Sequence, residues 1–384
     1  MTDISIDSYL AACVRACVAN ETLAIWPVSW PQDNAEAATA RIKFHGIALL
    51  LVQHDAAPQG WPDAVVRAVR DEARMQALWE ASHHAAVRPL VEALAAAGIV
   101  AAALKGTAIG YGYHQDPAVR RRGDTDLLLL VPGNNRGAAR AVLRASGFAP
   151  DGDRGPTQEP WSITGRDGFT HEVDIHWRIN GSLAVSKAME RLECEQRIVP
   201  LPKLAPSALA LGAVDNLILT CVNRYSHEAF GYHVEDDRPA DGNRLIWAFD
   251  MRLLSEGFSV REWAQLAQLA AASGSARVVR EGLAFAQASI GLALPDGFLD
   301  RLGKTGGAEP VAAYLSEPSH IKRLKKDLAA VTSPGELGAL LRLRFLPGRR
   351  FMDDRFPDAQ HWPLWALHIR RMAGGVLRRL GLPT

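Results

Sequence analysis

The sequence predicts an α+β fold: a small mixed β-sheet domain over residues 96–200, flanked by an N-terminal helical region (1–95) and a C-terminal helical domain (201–384). Three observations carry this. Residues 5–20, 35–53 and 62–98 are rich in Ala, Leu and Val, with charges every three or four positions, the period of amphipathic helices. At residue 99 the texture changes to short apolar runs separated by turn residues. From about residue 200 the helical texture returns and persists to about 345.

Each element has its own signal. The run 62–98 opens with Pro62 and closes at Gly98, ordinary helix punctuation. His83 and His84 inside it are adjacent and so point about 100° apart, which makes them poor co-ligands and predicts surface or core-edge positions. IVAAALKG (99–106) reads as a strand, GTAIGYGYHQ as a turn entering a short helix, and TDLLLLV (125–131) as a buried strand. RGAARAVLRASG (136–147) reads as a helix. PWSITGR and FTHEVDIHWRI then read as two strands joined at RDG, since Asp-Gly favours a hairpin turn. Further on, LPKLAPSALALGAVDNLILTCVNRYSH reads as a Pro-rich entry to a helix, the VEDD stretch (234–237) as a solvated loop, and RLIWAFDMRLLSEG as another helix. The aromatic, locally basic tail ends in a helix expected to pack back on the protein rather than lie on a membrane surface.

Composition narrows the function classes. With 48% hydrophobic and 22% charged residues the chain is an ordinary globular one, and its 384 residues suit two or three domains. A formal net charge of +1 offers no overall attraction to a polyanion, so stable nucleic-acid binding is not expected. The four cysteines form no C-x-x-C pair, which argues against structural zinc and for free buried thiols in a reducing cytoplasm. The N-terminus lacks a basic n-region followed by an apolar core, and no stretch reaches the ~20 apolar residues of a membrane span. A cytoplasmic location is expected.

The chemistry gathers around RRRGDTDLLLLV (120–131). Asp124 and Asp126 stand at i and i+2 of a strand, so they share a face. Two carboxylates that close repel unless a cation lies between them, and hard Mg²⁺ takes a few carboxylates together with substrate phosphate oxygens. LKGTA (104–108) precedes them: Gly106 permits close backbone approach, Thr107 offers a hydroxyl, and the following helix N-terminus aims N–H groups at an anion. In HEVDIHW, Asp174 lies on one face with Glu172 and His176, a third acid on a strand expected beside the first. Three acids on two adjacent strands can hold two metal ions for phosphoryl or nucleotidyl transfer. GYGYH has no phosphate-loop lysine and is not a P-loop. His114, His171 and His361 lack spaced partners and are expected to be solvated or capping.

Gly106-Thr107, a helix-length spacer, Asp124-x-Asp126 and a later acid together resemble the DNA polymerase β-like nucleotidyltransferase superfamily, over residues 96–180 and more weakly through 205–255. The stretch LKGTAIGYGYHQDPAVRRRGDTDLLLLV is most similar to uncharacterised bacterial nucleotidyltransferases encoded beside peptide-tailoring genes, and more distantly to abortive-infection-type nucleotidyltransferase toxins. The resemblance implies that Gly106 and Thr107 grip the triphosphate, that Asp124 and Asp126 bind two Mg²⁺ ions (Mn²⁺ being the alternative), and that Asp174 is the third metal ligand and the base. Arg120 stands where these families place an arginine. Lys105 fits the nucleotide-binding pattern too, although a strand continuing through it would turn its side chain away. In LILTCVNRYSH, His227 matches the second histidine of a family pair while Asn223 replaces the first; RLIWAFD supplies Arg244 and Asp250, either lining the nucleotide cleft or forming an inter-helix ion pair. The implied activity is transfer of a nucleoside monophosphate from an NTP, ATP foremost, to a hydroxyl of a peptide, protein, small molecule or RNA end. The alternatives are a silent nucleotide-binding protein on the same fold and a toxin-like enzyme acting on RNA. The nucleotide cleft is expected between the sheet and the 205–255 helices.

Overall fold

The computed structural model describes residues 4–30, 33–130, 135–233, 239–240, 242–304 and 307–379; the VEDD stretch lies outside them. Its centre is a seven-stranded mixed sheet, so the expected α+β class holds. In chain order the strands are β1 (Val100–Ala103), β2 (Asp124–Leu130), β3 (Ala149–Pro150), β4 (Gln158–Thr164), β5 (Thr170–His176), β6 (Ile198–Pro200) and β7 (Leu209–Leu211). In space they run β3-β4-β5-β2-β1-β7-β6. β2 is antiparallel to β1 and parallel to β5, and β4 and β5 form the hairpin expected at RDG, with Gly168 at φ +86° in its turn. The edge strands β3 and β6 each carry a proline, which removes a backbone donor that would otherwise invite further pairing.

Three strands of this sheet went unread in the sequence: β3 and β6 are too short to show alternation, and β7 lies in the stretch taken as a helix entry. β7 pairs in parallel with β1, Ala102 opposite Leu209. The first strand is also shorter than expected, ending at Ala103, so Lys105 opens the helix Lys105–Tyr113 instead of continuing a strand.

Each sheet face has a helical cover, as the strand pattern requires. Leu127 and Leu129 of β2 and Val173 and Ile175 of β5 pack on Val87, Leu90 and Leu94 of the helix Asp63–Ala96 and on Ala139 and Leu143 of the helix Arg136–Ala145. On the other face Ala102, Leu104, Leu128 and Leu211 join Leu217, Ile218 and Cys221 of the helix Ala213–Phe230 and Ile246 and Trp247 of the helix Leu245–Ser255. That core cluster extends from Tyr9 to Leu315, so N-terminal and C-terminal helices share one interior.

Some polar expectations change. His83 is buried where a surface or core-edge position was expected and His171 is buried where a solvated or capping one was; His114 is buried too, at the C-cap of the helix Lys105–Tyr113. His83 lies 2.8 Å from the Thr125 hydroxyl and stacks on Trp79, and His171 lies 2.8 Å from the Ser82 hydroxyl. Burial pushes His114 down to about 4. The four cysteines are free, as expected. Among the described residues no helix is long and apolar enough to cross a membrane.

Candidate active site

The acids are placed by alternation. Asp124, Asp126 and Leu128 share one face of β2, and Glu172, Asp174 and His176 share the same face of β5. Parallel pairing sets Asp124 opposite Glu172, Asp126 opposite Asp174 and Leu128 opposite His176. The third acid therefore stands beside the first two, on the neighbouring strand. Asp126, Asp174 and His176 each offer a ligand atom, and these atoms lie within 4.8 Å of one another, enough to hold a metal ion.

Asp126 is the hub. Its Oδ1 accepts from Lys105 Nζ at 2.8 Å and lies 2.8 Å from His176 Nε2. Lys105 reaches it because the strand has already ended: its own φ is +49°, a left-handed turn, and its N–H donates to the Asn216 side chain at 3.3 Å. Asn216 is fully buried and also donates to the Leu211 carbonyl at 2.7 Å, so it ties the β1 exit to β7. No sequence signal marked Asn216. His176 was legible by alternation, but only the register shows that it reaches Asp126.

The electrostatics are uneven. Burial, then the charges of Asp126 and Asp174, push Asp124 up to about 7. Burial and the Asp126 charge push Asp174 up to about 6. Asp126 is held below the ordinary carboxylate range: burial opposes this, but the Lys105 ammonium and the His176 hydrogen bond outweigh it. Burial also works against the Lys105 ammonium, yet the carboxylates of Asp126, Asp124 and Asp174 raise its pKa overall. Clustered anions that resist ionisation are a setting in which an added cation gains energy.

The acids open on a cleft of about 440 Å³. One wall carries Lys105, Asp124, Asp174 and His176; the facing wall carries Leu219, Asn223 and His227 of the helix Ala213–Phe230. His227 is stacked on Trp247 at 5.5 Å, and burial lowers its pKa. Tyr314, Asp327, Leu340 and Arg344 complete the lining, so the cleft takes in residues well beyond the 205–255 helices.

The other candidates lie elsewhere. Gly106 packs against the Arg120 guanidinium, which would meet an added Cβ at 3.3 Å. Thr107 is buried and bonds the Thr125 hydroxyl at 3.3 Å, toward the sheet face opposite Asp124 and Asp126. Arg120 is buried and donates through Nε to both oxygens of Asp250, at 2.8 and 2.9 Å. Arg244 caps the helix Leu245–Ser255, donates to the Phe44 carbonyl at 2.6 Å, and with Arg120 lines a separate cavity of about 480 Å³ against Lys43, Trp79 and Arg122. Lys105, His227 and the three aspartates thus come together, whereas Thr107, Arg120 and Arg244 do not join them.

No curated protein and no solved structure matches this chain. A family model does, the one described as uncharacterised nucleotidyltransferase, over residues 31–291. That span holds the whole sheet, the acids and the facing helix, and it exceeds half of the chain. The chain accordingly belongs to this family of nucleotidyltransferases, enzymes of the DNA polymerase β-like superfamily.

Proposed function

We propose that the protein transfers a nucleoside monophosphate from an NTP, ATP foremost, to an acceptor hydroxyl with release of pyrophosphate. The observation that carries this reading is the meeting of Asp124, Asp126 and Asp174 on neighbouring strands, with Asp124, Asp174 and Lys105 lining one cleft wall and Asp126 bonded to Lys105. The carboxylates of Asp126 and Asp174, close enough to share one ion, fit a hard divalent cation, and the His176 imidazole beside them suits support of Asp126 rather than Mg²⁺ ligation. Asp124, Asp126 and Asp174 would hold Mg²⁺, as two ions, and His176 would fix the Asp126 carboxylate from behind. Bound Mg²⁺ supplies neutralisation of phosphate oxygens at the reacting centre.

The chain's own groups do the rest. Lys105 brings an ammonium to the cleft, where it can meet a phosphate oxygen once released from Asp126. Asp174 lines the cleft beside Asp126 and would take the proton of the acceptor hydroxyl. The acceptor oxygen loses that proton to Asp174 and bonds the α-phosphorus, while the bond to pyrophosphate breaks. His227 on its Trp247 support faces the acids and is placed to meet base or phosphate. The likeness to nucleotidyltransferases encoded near peptide-tailoring genes favours a peptide or protein acceptor, and the free thiols suit a cytoplasmic setting.

A second reading, a silent nucleotide-binding protein, is favoured by one observation: the Lys105 ammonium already sits 2.8 Å from Asp126 and satisfies part of the charge a metal would. One experiment separates the two. With labelled NTPs, Mg²⁺ and lysate, the enzyme labels an acceptor and releases pyrophosphate, and Asp174→Asn lowers the rate roughly 10²–10⁴-fold. ATP binding without label transfer or pyrophosphate release would leave the silent reading standing.

A further inference from the structure

Over residues 364–374 the C-terminal helix Leu364–Arg379 turns one apolar stripe outward. Leu367 is fully buried in a small cluster with Met352 and Ala359. Trp365, Ile369 and Met372, spaced four and three residues apart and so on one stripe, are 66%, 55% and 54% exposed. Beside Leu367, Arg370 bonds Asp358 at 2.8 Å and Arg371 bonds the Arg344 carbonyl at 3.0 Å. The helix packs back on the protein through Leu367, as expected, but leaves a second apolar stripe outside. Phe345, Leu346, Phe351 and Trp362, in the segments just before this helix, are exposed as well.

Charge says what covers this surface. Residues 340–379 hold nine arginines, no lysine and three aspartates, a net charge of +6, so the rest of the chain carries −5. Arg342 and Arg355 are exposed among the exposed aromatics, as are Arg349 and Arg350, which pair with Asp353 and with Asp151 and Glu172. We infer that this end of the molecule docks on an anionic lipid surface, with Trp365, Ile369 and Met372 entering the boundary between headgroups and acyl chains and the arginines meeting lipid phosphates and carboxylates. Aromatic and aliphatic side chains flanked by arginine are what an interfacial helix uses. A second copy of the chain is a poor partner, because it would press two arginine-rich segments together. Nucleic acid explains the arginines but not Ile369 and Met372, which offer no ring to stack on a base. The contact is peripheral, and Trp365, Ile369 and Met372 do not line the nucleotide cleft.

The test is co-sedimentation of the full chain with phosphatidylcholine vesicles, with and without phosphatidylserine. Binding is expected only with phosphatidylserine, weakening as salt rises. Replacing Trp365, Ile369 and Met372 together by Ser should lower the bound fraction about tenfold, since each buried apolar group adds to partition. Arg342→Gln with Arg355→Gln, which leaves the apolar stripe in place, should also lower it. Both variants change exposed side chains, and an unchanged melting temperature confirms their folding. No binding to anionic vesicles, binding indifferent to both variants, or light scattering showing that the stripe holds two copies together would overturn the inference. So would retention on RNA that the serine variant leaves intact.

Discussion

Asp124 and Asp126 sit two residues apart on one face of β2 and are pushed in opposite directions, which makes their substitutions distinguishable. Asp124 binds its proton more tightly in the folded chain, up to about 7, than in the unfolded chain, where Asp titrates near ~3.9. The folded state therefore loses stability as pH climbs from about 4 to about 7. Asp124→Asn removes that loss. In metal-free buffer its melting temperature should match the parent near pH 4 and exceed it by roughly 2–4 °C at pH 7 and above. A gap that does not widen with pH would mean that the Asp124 carboxyl is not held protonated. Asp126 behaves oppositely: its folded pKa is depressed, so its contribution is present at neutral pH and fades as pH falls through the acid range. Asp126→Asn should destabilise by about 1.5–3 kcal/mol at pH 7, because charge-assisted bonds to Lys105 and His176 are lost. Removing a like charge is thus harmless at Asp124 but costly at Asp126, and lost transfer in Asp126→Asn must be read beside a thermal melt.

Between elements, the decisive contact joins Arg120, just before β2, to Asp250 in the helix Leu245–Ser255, with Gly106 packed against the guanidinium. This pair holds the helix covering the sheet to the loop that leads into the acids. Breaking a buried ion pair from one side strands a charge, so Asp250→Ala should cost about 3–5 kcal/mol in chemical denaturation. Gly106→Val would push a branched side chain into a guanidinium that cannot yield while Asp250 clamps it. That variant should destabilise the parent strongly and the Asp250→Ala background much less, a coupling that a double-mutant cycle reads directly. Additive costs would show that Gly106 and Arg120 do not share this packing. Loss of ATP binding in Gly106→Val would by itself say little about a phosphate grip.

At the scale of the whole molecule, the sheet is completed from outside residues 96–200. β7 pairs with β1 from positions 209–211, and the helix Ala213–Phe230 covers the face that bears the acids. A fragment of residues 96–200 should therefore leave one side of β1 unpaired and a sheet face bare. It is expected to lack the cooperative urea transition of the full chain, followed by near-ultraviolet circular dichroism. A cooperative transition in that fragment would show that β7 and the covering helix are dispensable to the core.

What the sequence by itself determined is what depends on neighbours along the chain. The helices around residues 6–19 and 63–96, the strands bearing Asp124 to Leu130 and Thr170 to His176, the Asp-Gly hairpin and the shared face of Asp124 and Asp126 all follow from periods of 3.6 and 2.0 and from turn chemistry. Only the tertiary structure decided which distant groups meet. Strand register set Asp126 against Asp174; an early strand end and a left-handed turn swung Lys105 onto Asp126; a contact across 130 residues made Arg120, a nucleotide-binding candidate by resemblance, the partner of Asp250. Alternation fixes the face a side chain takes, but not the strand or helix that will be packed against it, because that choice is made by burial of the whole apolar surface at once.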